Sequence, residues 1–114
     1  MELWHNPRCS KSRAAKALLE ERDVAFAERR YLDDPPTADE LDAVLTALGR
    51  EPWEVARLGE PVAAELGLRD WPRDRGRWIA AMVAHPVLIE RPILVAGDGR
   101  AALGRPPEDV LGLL

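Results

Sequence analysis

Leu41, Val44, Leu45 and Leu48 recur at i, i+3, i+4 and i+7, the spacing of one face of a helix. Thr37-Ala-Asp-Glu40 precedes them as a reciprocal capping pattern and Gly49 follows, so the pattern predicts a helix closed at both ends. Lys11 to Arg22 lacks Pro and Gly and repeats Ala14, Ala15, Leu18 and Leu19 at helical spacing, predicting a helix that begins just after Cys9. Around it, residues 2–5 (ELWH) and 24–32 (VAFAERRYL) read as strands. Pro52–Gly67 reads as two short helices and Trp78–Ala84 as another, closed by His85-Pro86. ILVA (93–96) and RAAL (100–103) flank Gly97-Asp98-Gly99 as a hairpin, and Pro107–Leu114 reads as a last short helix with proline at its first position. The order is β-α-β, then helices, then β-β-α. It predicts an α/β fold with a mixed sheet, built as a single domain over 1–114 with a helical insertion at about 37–85.

Composition narrows the function classes. At 114 residues, 46% apolar and 32% charged, the chain has the make-up of one folded globular domain. No apolar run is long enough to span a bilayer, so a cytoplasmic protein with no membrane partner is expected. The net charge of −4 gives no basic face for a nucleic-acid backbone, and no nucleic-acid partner is expected. A monomer is expected. One cysteine excludes an internal disulfide, and one Cys with His5 and His85 far apart does not make up a usual structural zinc set, so no metal is expected.

Positive charge is concentrated in HNPRCSKSR, residues 5–13, which holds Arg8, Lys11, Arg13 and the cysteine but no acid. Helix first turns favour acids, yet here Lys11 and Arg13 stand at the start of the helix and Glu20 and Glu21 near its end. A thiol at such a position is acidified by the free N–H groups and by neighbouring cations. A drop of two units from about 8.5 takes the thiolate from about 3% to about 75% at pH 7. Cys9 is thus a candidate nucleophile beside an anion site, against the plainer reading of a small buried thiol. His5 is either a protonated neighbour that favours the thiolate or an exposed imidazole at a strand end. Ser10 and Ser12 read first as helix caps.

HNPRCSKSR, YLDDPP, AHPVLIERPILV and LGRPPEDVL, in this order and spacing, resemble the glutaredoxin-coupled arsenate reductase family (ArsC), and most closely its short YfgD-like branch. The resemblance covers nearly the whole chain. It implies a thioredoxin-like fold and an enzyme in which Cys9 is the catalytic nucleophile, with His5, Ser12 and Arg13 favouring the thiolate. It further implies an oxyanion site of Arg57, Arg91 and Arg105, and a cis peptide bond at Pro92. The implied reaction is reduction of arsenate to arsenite, with glutathione as co-substrate, glutaredoxin as protein partner and no bound cofactor. Better-known family members continue for a further segment after the position of Leu114.

Two other functions fit the same fold. One is an Spx-like redox regulator that binds RNA polymerase, although such sensors commonly use Cys-x-x-Cys and position 12 here is serine. The other is a glutathione-dependent thiol transferase for which arsenate is irrelevant.

Overall fold

Leu3 and Trp4 are adjacent in sequence and both buried, which requires a strand with cover on both faces. β1 (Glu2–Trp4) is such a strand, central in a four-stranded sheet ordered β2-β1-β3-β4. It runs parallel to β2 (Ala27–Arg29) and antiparallel to β3 (Ile93–Val95), which pairs antiparallel with β4 (Ala101–Leu103). The computed structural model describes residues 1–114 in two compact units, Met1–Asp34 with Arg91–Leu114 and Pro35–Glu90.

The first unit holds the sheet. α1 (Ser10–Glu21) crosses over between β1 and β2 and packs Ala15 and Leu19 with Leu3, Leu94 and Ala96. Val110 and Leu113, from a 3-10 helix at Pro107–Leu113, complete this core. The expected strand at 24–32 shrinks to three residues because turns take both its ends. At one end Asp23 adopts φ 54°, with Val24 N–H donating to the Leu19 carbonyl at 3.1 Å and Asp23 N–H to that of Glu20, which terminates α1. At the other, Asp33 and Asp34 turn back onto the Arg30 carbonyl at 3.0 and 2.9 Å. Val24 and Phe26 still pack against the core, so the apolar pattern served burial without being a strand.

The second unit is helical. α2 (Ala38–Leu48) has the anticipated reciprocal cap: Glu40 N–H donates to Thr37 Oγ1 at 3.1 Å and Thr37 N–H to Glu40 Oε1 at 3.0 Å. Gly49 ends it at φ 66°, a left-handed conformation that costs glycine little. The stretch Pro52–Gly67 gives one 3-10 turn (Pro52–Glu54) and one helix, α3 (Pro61–Leu66). α4 (Arg75–Ala84) starts a turn earlier than the apolar pattern showed, because Asp74 caps a polar first turn by accepting from Arg77 N–H at 3.2 Å. Trp78 then packs edge-on to Trp53 and Trp71, at ring-centroid distances of 6.2 and 6.1 Å. No helix is long and apolar enough to cross a membrane.

Leu94 is fully buried in the central core of the sheet unit. Leu94→Ala is expected to lower unfolding free energy by about 2–5 kcal/mol, read by urea denaturation.

Candidate active site

The register of the sheet decides what meets Cys9. Trp4 pairs with Ile93, and Ile93 with Leu103, so the chain leaves β1, enters β3 and leaves β4 at one edge. Three sequence-distant segments converge there: Asn6–Cys9, Arg91–Pro92 and Gly104–Arg105. Their backbones interlock, with Gly104 N–H donating to the Pro92 carbonyl at 2.8 Å and Arg105 Nε to the Arg91 carbonyl at 2.9 Å. The Arg91-Pro92 peptide bond is cis, and so is Arg105-Pro106, which nothing in the sequence reading anticipated.

Asn6 frames the loop that delivers the cysteine. Its carbonyl accepts from Cys9 N–H at 3.0 Å, its Oδ1 from Arg8 N–H at 3.0 Å, and its own N–H donates to Ser12 Oγ at 3.3 Å. Arg13 Nη1 donates to the Pro7 carbonyl at 3.0 Å and closes the other side. Cys9, half-buried, is therefore the residue at the N-cap of α1, with φ −94° and ψ 124°. Neither Ser10 nor Ser12 caps the helix as expected. Ser10 is its first residue, and the fully buried Ser12 hydroxyl is spent on the loop.

Burial pushes the Cys9 thiol up, but opposing groups outweigh it: the Ser12 N–H, the Arg91 guanidinium and the Lys11 N–H bring it below its ordinary value. Stabilisation of the thiolate thus comes from main-chain N–H groups and from Arg91. His5 and Arg13, expected beside the sulfur as cations, serve the frame instead. His5 is 2% exposed, and burial pushes its imidazole down. The Glu28 carboxylate 3.7 Å from Nε2 pulls it up, while Lys16, Arg30 and Arg13 add to the downward side. A buried ring among three cations favours the neutral form, which corrects both sequence readings of His5, the imidazolium and the exposed imidazole.

Arg57 lies in the helical unit. Its Nη1 donates to Glu90 Oε1 at 2.8 Å and its Nε to Glu60 Oε1 at 3.2 Å, so its charge is already matched by two carboxylates. No periodicity marks Asn6 or Gly104 as parts of the site. The only signals are the Asn-Pro turn after β1 and a glycine just before an expected arginine. A Cβ at Gly104 would stand 2.6 Å from Pro92 Cγ and 3.1 Å from Val110 Cγ1, too close for either to stay where it is.

Cys9 alkylation by iodoacetamide is expected to show a pH midpoint below that of a free thiol. Arg91→Ala should raise it, since loss of the cation favours the protonated form. Gly104→Ala should raise it too, by displacing Pro92; unchanged midpoints in both variants would contradict this geometry.

The ArsC family model matches residues 4–113 of the chain. The "Uncharacterized protein in glnII region" of Streptomyces viridochromogenes is 49% identical over 113 residues, covering 96% of this chain and 95% of that protein. The "Uncharacterized protein YfgD" of Escherichia coli K12 is 43% identical over 115 residues, covering 100% and 96%. Among solved structures, the arsenate reductase from Vibrio cholerae superposes with a TM-score of 0.92 at 43% identity, covering 100% of this chain and 98% of that one. With that match running from β1 through the last helix, the chain belongs to the ArsC family and has its thioredoxin-like α/β fold.

Proposed function

We propose that this protein reduces arsenate to arsenite with glutathione and glutaredoxin, using Cys9 as its nucleophile. The observation that carries the reading is a thiol acidified at a helix N-cap with Arg91 acting directly on it. The arsenate reductase name of a relative 43% identical along the whole chain supports the substrate.

In the proposed sequence the Cys9 thiolate attacks arsenic(V), an As–S bond forms, and one oxygen departs as water after taking up protons. Arg91, held by Arg105 through its carbonyl, is placed to neutralise the charge that accumulates on the remaining oxygens. Glutathione thiolate then attacks the Cys9 sulfur. The As–S bond breaks with its electron pair staying on arsenic, giving arsenite and a Cys9–glutathione disulfide. Glutaredoxin takes the glutathione and returns Cys9 to the thiolate. No resident cofactor enters this scheme, and a second cysteine is not needed because the reducing thiols come from outside. Arg57, the third arginine that the resemblance assigns to the grip, is paired with Glu60 and Glu90, so Arg91 and Arg105 bear the proposal.

With glutathione, glutaredoxin and arsenate, purified protein should release arsenite, Cys9→Ser should release none above background, and Arg91→Ala should be slower by about tenfold or more. Arsenate should also protect Cys9 from alkylation. Wild-type turnover no greater than that of Cys9→Ser would overturn the reading. Turnover of glutathione mixed disulfides alone would reassign the same thiol to a transferase.

A further inference from the structure

Within the helical unit, Arg57 closes a short piece of antiparallel pairing. Arg57 N–H donates to the Leu88 carbonyl at 2.8 Å, Glu90 N–H donates to the Val55 carbonyl at 3.0 Å, and Ala56 bridges Ile89 between them. Val55 and Ile89, 3% and 0% exposed, anchor this pairing in the core. So short a ladder has few bonds to hold its end. That end is secured by the Arg57–Glu90 ion pair at 2.8 Å, with Glu60 orienting the guanidinium from three residues along. The three side chains are only 24%, 23% and 23% exposed, so water screens the attraction less than at an open surface. The chain leaves the clamp at Glu90, and the next residue is Arg91.

We infer that Arg57 is a positioning residue: by gripping Glu90 it fixes the main chain one residue ahead of Arg91, and through that residue the reach of Arg91 to Cys9. Glu90 is then as much a part of the device as Arg57, although its charge is opposite to that of any oxyanion ligand. The inference rests on the reading of Cys9 and Arg91 as one site, and it is independent of which substrate the thiolate attacks.

The two roles open to Arg57 predict opposite signs for one measurement. If Arg57 acts through Glu90, then Arg57→Gln and Glu90→Gln should each raise the pH midpoint of Cys9 alkylation by iodoacetamide, slowing the reaction at pH 7 by about threefold. The double variant should be no slower than either single one, because both remove the same link. If Arg57 instead offers its charge directly to the site, Glu90→Gln releases that charge and lowers the midpoint while Arg57→Gln raises it, which would overturn the inference. A midpoint unmoved by both variants would overturn it equally. Circular-dichroism melting checks that each variant is folded. Should Glu90→Gln fail to fold, Glu90→Asp keeps the charge but shortens its reach, and an unmoved midpoint in it counts against the clamp. The readout needs no arsenate, so absent turnover would refute the proposed reaction without touching this result.

Discussion

The free N–H groups at the start of α1 are the constraint around which the rest of the site is arranged. An N-cap side chain normally supplies an oxygen to them, and this chain supplies a sulfur. A neutral thiol is a poor acceptor, whereas a thiolate is a good one, so the helix end and the ionised state of Cys9 stabilise each other. The first turn carries Lys11 and Arg13 and no acid, an arrangement unfavourable to the helix taken alone. It becomes intelligible once the anion at that end is the cysteine itself or a ligand bound over it. Acidic residues there would satisfy the helix and suppress the thiolate.

The helix end by itself does not overcome burial of the thiol, and the second contribution depends on topology. An antiparallel β1–β3 pair brings the exit of one strand beside the entry of the other, and β4 returns to the same edge. A cysteine just after β1 therefore meets an arginine just before β3 and another just after β4, although these residues lie more than eighty positions apart. Gly104 permits the approach, since any side chain there would press on the Pro92 ring that follows Arg91. The mixed sheet is in this sense the device that turns three separate loops into one site.

Much of this was legible before any coordinates. The element order, the caps of α2 and the hairpin all follow from local pattern, because turns and caps act over a few residues. Cys9 stood out for the same reason, as an inverted charge pattern inside nine residues. Arg91 and Arg105 did not, since nothing local separates them from the other arginines of an Arg-rich chain; only resemblance to a family singled them out. His5 was misjudged because burial decides its protonation, and burial is a property of the folded sheet edge, with Glu28 and Arg30 arriving from the strand beside it.

Arg57 shows where the transfer of roles by motif meets its physical limit. The motif assigns a residue type to a position, but what a guanidinium does depends on which charges reach it first. In this chain Glu60 and Glu90 do so, at 3.2 and 2.8 Å. An oxyanion would have to displace a partly buried carboxylate to use that charge, whereas Arg91 already acts on the Cys9 sulfur. An acid immediately before Arg91 would be a poor choice if its only neighbour were the bound anion. Committed to Arg57, the same acid serves as an anchor whose charge is neutralised before any substrate arrives.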